Sequence, residues 1–136
     1  MKNSHFHHEA FVTLASSKLD QQVAFYSGLL NISPQPNTPA YAEFQLNRLR
    51  LAIFTPSRSN ATEFAAASDA ISSSAISSGP MSLCLEVSDL ERAIAQLHAL
   101  GHAPPGEIMH TSHGQEIYAY DPDGNRLILH QSPKSS

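Results

Sequence analysis

Apolar residues along this chain follow two rhythms, a period of two and a period of about 3.6, and the rhythms come in the same order twice. The stretch FVTLA reads as a short strand and is followed by a helix that starts at SSKLD, in which Leu19, Val23, Tyr26 and Leu30 recur at helical spacing. Ser17 with Asp20 three residues later resembles a capping box. MSLCLEVSDLERAIAQLHALG repeats the arrangement: Ser88 with Glu91 is the cap, Leu90, Ile94 and Leu97 form the stripe, and Gly101 supplies a stop. An offset of 71 residues lays Val12 on Leu83, Leu14 on Leu85 and Val23 on Ile94, so the chain is an internal duplication.

Each half then closes on a hairpin. In the first, YAEFQL and LRLAIF flank Asn47-Arg48, and pairing Leu46 with Leu49 places Ala42, Phe44, Leu51 and Ile53 on one face and Tyr41, Glu43, Gln45, Arg50, Ala52 and Phe54 on the other. In the second, Asp121-Pro122-Asp123-Gly124 has the residues of a type I turn with a bulge, and Asp121 should pair with Asn125. That register sets Ile117, Ala119, Leu127 and Leu129 on one face and Glu116, Tyr118, Tyr120, Arg126, Ile128 and His130 on the other. The apolar faces must pack on the helices, which leaves two mixed, polar faces suited to line a cavity. The predicted class is α+β: two βαβββ modules, about 9–55 and 81–131, forming a curled mixed sheet around a cavity with helices on its outer face. Residues 56–80, rich in Ser and Ala, read as a linker.

Composition narrows the function classes. A net charge of -4 with no cluster of Lys and Arg argues against a nucleic-acid partner, and no apolar run is long enough to cross a bilayer. A single cysteine excludes an internal disulfide, and MKNSHFHHEA lacks a secretory signal pattern, so the expected location is the cytoplasm. Several histidines read as having no part in a site: His98 and His102 at a helix C-terminus, His110 and His113 on a rim or turn, and His5, His7 and His8 in a frayed polar terminus.

The texts LDQQVAFYSGLLNI, LRLAIF, VSDLERAIAQLHALG and YAYDPDGNRLILHQ resemble the vicinal oxygen chelate superfamily, which contains glyoxalase I, bleomycin-resistance proteins, fosfomycin-resistance thiol transferases and extradiol dioxygenases. The resemblance implies paired modules around a cavity, commonly a homodimer, and in the enzymes a divalent metal held by His or Glu on the first and last strand of each module. Carried onto this chain, the ligand positions fall on Phe11, Ala52, Ser82 and Ile128. Phe, Ala and Ile offer no donor and a neutral Ser is a poor one, so no cofactor is expected. A metal would need a non-standard site built from His130, Glu116 and Glu43.

The resemblance also implies that first and last strands run side by side. Pairing Ser82 with Ile128 then sets Cys84 beside His130, with Glu116 opposite, and this row is the candidate catalytic group because an imidazole and a carboxylate can activate a thiol. Phe11, Thr13, Tyr41, Glu43, Arg50, Phe54, Ser82, Tyr118, Tyr120, Arg126 and Ile128 form the expected ligand-binding surface, suited to a small organic molecule with aromatic or anionic character. The leading expectation is a metal-free binding protein. The alternative is an enzyme of lyase, thiol-transferase or dioxygenase type that uses displaced ligands or the thiol.

Overall fold

The computed structural model describes residues 6–64 and 79–133. The first half runs β1 (Val12–Ala15), α1 (Leu19–Leu30), β2 (Asn37–Thr38), β3 (Tyr41–Gln45) and β4 (Arg50–Phe54). The second runs β5 (Leu83–Glu86), α2 (Leu90–Ala99), β6 (Met109–Thr111), β7 (Gly114–Tyr120) and β8 (Arg126–Gln131). Of the expected linker, Arg58–Phe64 forms a 3-10 helix, and positions 65–78 lie outside the described residues. The architecture is α+β, as the duplicated pattern predicts. Each half builds its own four-stranded mixed sheet, in the orders β1-β4-β3-β2 and β5-β8-β7-β6, and the sheets do not close into a barrel.

Both hairpins hold the expected registers. Leu46 N–H donates to the Leu49 carbonyl at 2.8 Å, and β3 pairs with β4 so that Phe44 faces Leu51 and Tyr41 faces Phe54. In the second module Asp121 N–H donates to the Asn125 carbonyl at 3.0 Å, and β7 pairs with β8 so that Glu116 faces His130 and Ile117 faces Leu129. Gly124, at φ 88°, takes the left-handed position that the bulged turn needs. Ala42, Phe44, Leu51, Ile53, Ala119, Leu127 and Leu129 are fully buried, in one core with Tyr26, Leu90 and Leu97 from the helices. Alternation along each strand therefore separates a dry face from a mixed one.

The parallel register of the second module differs from the expected one. β5 pairs with β8 as Leu83 with Leu127, Cys84 with Ile128, Leu85 with Leu129 and Glu86 with His130. Period-two alternation is satisfied equally by two registers that differ by two residues, but pairing Ser82 with Ile128 would have set Leu85 against the polar Gln131. The observed register matches leucine to leucine, as β1 and β4 match Val12 to Leu51 and Leu14 to Ile53.

The helix starts are also corrected. α1 begins without any side-chain cap on Lys18, because the Ser16 hydroxyl accepts from Lys18 N–H instead, and the Ser17 and Asp20 box does not form. For α2 the cap is Asp89 rather than Ser88, its carboxylate accepting from Arg92 N–H at 3.1 Å. Gln131 on β8 adds a second cap, its side-chain oxygen accepting from Leu90 N–H at 2.7 Å. Gly101 ends α2 as predicted: at φ 83° it lets His102 N–H reach the Leu97 carbonyl and its own N–H reach that of His98.

The modules meet through their helices. Gln96 on α2 donates to the Gly28 carbonyl on α1, and the Phe25 ring meets the His102 ring edge-on at 5.2 Å. Gly28 gives a close approach at this crossing, since a Cβ there would lie 2.6 Å from the end of the Leu100 side chain, which would have to shift.

Candidate functional site

The mixed faces of the two sheets carry the candidate ligand-binding residues. In the first module they form rows fixed by strand register: Thr13, Ala52 and Glu43 lie side by side, as do Ala15, Phe54 and Tyr41. Arg50 is the hub of this face. Its guanidinium carbon sits 3.9 Å over the centre of the Phe11 ring, and its nitrogens lie 3.2 Å from Glu9 and 3.7 Å from Glu43. Glu43 also accepts from the Tyr41 hydroxyl at 2.8 Å, so Phe11, Tyr41, Glu43 and Arg50 are brought together. Phe54 packs edge-on against Phe64 of the 3-10 helix at 5.2 Å between centroids, which extends its aromatic wall. Glu9 and Phe64 lie outside the periodic strands, where the sequence pattern gives no signal for either.

The second module repeats the layout with different chemistry. Arg126 occupies the counterpart of Arg50, and its Nε donates to the Ser82 hydroxyl at 2.7 Å while another nitrogen donates to the Gly79 carbonyl. Tyr120 lies opposite Arg126, and Tyr118, Ile128 and Cys84 form the next row. Phe11 and Tyr118 remain 44% and 40% exposed in a single chain, so both faces are open. Two surface recesses of about 370 Å³ lie elsewhere, one at the start of α1 and one between Gly101 and the Tyr120–Gly124 turn.

The expected Cys84–His130–Glu116 row is not formed. Glu116 does face His130, but the neighbour on β5 is Glu86, whose Oε1 lies 2.6 Å from His130 Nδ1. Glu86 Oε2 accepts from Ser132 N–H at 2.8 Å. The hydrogen bonds from His130 and Ser132 hold the Glu86 carboxyl down at about 2, and the same Glu86 contact raises the His130 imidazole above its ordinary value. Cys84 sits one row away, beside Ile128 and Tyr118. Partial burial raises its thiol, and the Glu116 and Glu86 charges add to the shift. A nucleophilic cysteine needs the opposite environment. The leucine-to-leucine match of β5 and β8 is the signal that would have put Glu86, rather than Cys84, beside His130.

The positions that the resemblance implies for a divalent metal, Phe11, Ala52, Ser82 and Ile128, carry no His or Glu. The row positions next to Ala52 and Ile128 are Thr13 and Cys84, and the one His–Glu pair where β5 meets β8 among the described residues, Glu86 with His130, lies two residues further along, its two members bonded to each other. Of the non-standard set, Glu43 is held by Tyr41 and Arg50 in the first module, while Glu116 and His130 share a row with Glu86 in the second. Among the described residues no three His, Cys, Asp or Glu side chains are grouped to hold an ion. His110 and His113 are exposed at the β6–β7 turn, and His5 lies outside the described residues.

The sequence model of the Glyoxalase/Bleomycin resistance protein/Dioxygenase superfamily matches residues 5–129. Among solved structures, a glyoxalase-related enzyme from Fulvimarina pelagi is 21% identical with a TM-score of 0.71, the match covering 93% of this chain and 90% of that one. The fosfomycin resistance protein FosX from Listeria monocytogenes, solved with Mn(II) and sulfate, is 16% identical at a TM-score of 0.69, with 95% and 93% covered. A bleomycin-binding protein complexed with bleomycin is 21% identical at a TM-score of 0.61, with 93% and 100% covered. At these identities the structures establish the fold. No curated protein sequence matches the chain.

Proposed function

The chain belongs to the Glyoxalase/Bleomycin resistance protein/Dioxygenase superfamily, and on that premise we propose that it binds a small organic molecule on its mixed sheet faces without a metal and without altering its ligand. The observation that carries this reading is the pairing of β1 with β4 and of β5 with β8. At the positions where the resemblance implies metal ligands, the cross-strand pairs are Thr13 with Ala52 and Cys84 with Ile128, which can contact a ligand but include no His or Glu. A bleomycin-binding relative of the same fold supports a binding role, and FosX, crystallised with Mn(II), represents the enzymatic alternative.

Phe11, Phe54, Tyr118 and Tyr120 offer flat apolar surface, with Thr13, Tyr41, Glu43, Ser82 and Ile128 completing the contacts, which suits an aromatic or planar molecule. An anionic group on that molecule would meet Arg50 or Arg126, one on each mixed face. Because each face is open in one chain, the proposed working form is a homodimer in which two copies enclose the ligand. A single exposed thiol fits a reducing cytoplasm.

The test is elemental analysis of protein purified without an affinity tag, together with thermal-shift screening against aromatic acids, quinones and their neutral analogues. A ligand that raises the melting temperature of metal-free protein supports the reading, because binding only the native state stabilises it. A stoichiometric, tightly held metal, or turnover of the ligand found, would overturn it.

A further inference from the structure

α1 belongs to the first module, yet its polar stripe serves the second. Lys18, Gln22 and Tyr26 are spaced by four residues and so line one side of the helix. All three reach the turn after β7. Lys18 Nζ donates to the Pro122 carbonyl at 3.0 Å, Gln22 Nε2 donates to Asp121 Oδ2 at 3.1 Å, and the Tyr26 hydroxyl donates to the same oxygen at 2.8 Å. Gln22 and Tyr26 are fully buried and Asp121 is 3% exposed. The other oxygen, Oδ1, accepts the backbone N–H groups of Asp123 and Asn125 at 2.9 Å each, and Asn125 Nδ2 adds a third contact to Oδ2. One carboxylate therefore shapes the hairpin of the second module and fastens the helix of the first.

We infer that Asp121, Gln22 and Tyr26 form a latch that sets the angle between the two modules, and with it the relative placement of their mixed faces. Between α1 and α2, apolar packing at Gly28 against Leu100 and Phe25 against His102 supplies adhesion but little direction, and the Gln96 hydrogen bond to the Gly28 carbonyl is exposed to competing water. A buried carboxylate accepting from fixed donors tolerates far less displacement, because hydrogen bonds to a charge weaken steeply off axis. α1 packs directly on β3 and β4, and the turn is continuous with β7 and β8, so a change at the latch moves one face against the other. Asp121, Gln22 and Tyr26 are thus positioning residues. The link to ligand placement rests on the proposed binding function; the latch itself does not.

The experiment measures the distance between the modules by pulsed electron spin resonance. One nitroxide is attached to exposed Cys84 on β5 and one to an introduced Asn47→Cys in the exposed β3–β4 turn, with excess unlabelled protein added so that distances between copies do not contribute. The intact latch should give a single narrow distribution. Gln22→Leu with Tyr26→Phe removes both donors from α1 to the Asp121 carboxylate while leaving the hydrogen bonds of Asp121 to its own turn, and should displace and broaden the distribution. Tyr26→Phe alone takes its place if the pair does not fold by circular dichroism. A distribution unchanged in whichever variant is folded overturns the inference. No ligand enters the readout, so the latch can fail while the binding reading stands, and the reverse.

Discussion

His130 Nδ1 lies 2.6 Å from Glu86 Oε1 across the parallel pair of β5 and β8, and this ion pair stands where a thiol next to an imidazole was expected. The two groups give stability opposite dependences on pH. Glu86, held at about 2 when folded, adds stability that is fully present above its ordinary value of 4.5 and is lost as pH falls towards 2. His130, raised when folded, adds stability that is fully present below its ordinary value of 6.5 and is lost as pH rises through its folded value. Both contributions are complete only between pH 4.5 and 6.5. Following the His130 ring protons by NMR should show a midpoint above 6.5, and Glu86→Gln should bring it down. A midpoint at or below 6.5 in the unmodified protein would contradict the pairing.

Cys84 should behave as a sluggish thiol. Partial burial and the charges of Glu116 and Glu86 disfavour its thiolate, so alkylation by iodoacetamide at neutral pH should be slower than for a free cysteine. Glu116→Gln removes one of those charges and should speed the reaction. Rapid alkylation with a midpoint well below the ordinary thiol value would instead restore the nucleophile reading.

Tyr26→Phe removes a buried hydrogen bond to a carboxylate while keeping the ring in the core. The expected loss is about 2 kcal/mol, the usual scale for a hydrogen bond to a charged group. Urea denaturation reads it as a lower midpoint at unchanged slope. A variant as stable as the parent would mean that Asp121 is satisfied by its own turn.

Gly114→Ala should cost more than its size suggests. Gly114 begins β7 at φ 131°, and an added Cβ would lie 2.1 Å from the Gln131 carbonyl oxygen, a backbone atom that cannot swing away. Backbone strain and overpacking together should destabilise by about 3 kcal/mol or more. Thermal unfolding measures the loss, and amide exchange should locate it where β7 meets β8.

Much of the fold is written in period-two alternation, because each hairpin has one register that buries Phe44 and Leu51 or Ile117 and Leu129 together. Alternation is silent about a slip of two residues, and that is where the site expectation failed: Cys84 and Glu86 share a face of β5, and only the matching of Leu83 and Leu85 to Leu127 and Leu129 decides which one meets His130. The helix caps misled for a related reason. Ser17 and Ser88 fit a local motif, but Ser16 and Asp89 hold the geometry, and the second cap on α2 comes from Gln131, 41 residues away. Gln22 stayed illegible because a glutamine on a helix is ordinarily a solvated residue. Its spacing from Lys18 and Tyr26 was visible, but its partner in the DPDGN turn was not.

Asp121 also bears on how the chain is made. Tyr26 and Gln22 lie 95 and 99 residues before the carboxylate that accepts from them, so while a ribosome is still building the second half, α1 has emerged with two donors that have not yet met it. Docking them early would leave a hydroxyl and an amide unsatisfied in an apolar site, at a cost of about 1 to 3 kcal/mol each. The buried donors of α1 therefore gain their acceptor only after the hairpin that carries Asp121 has been made.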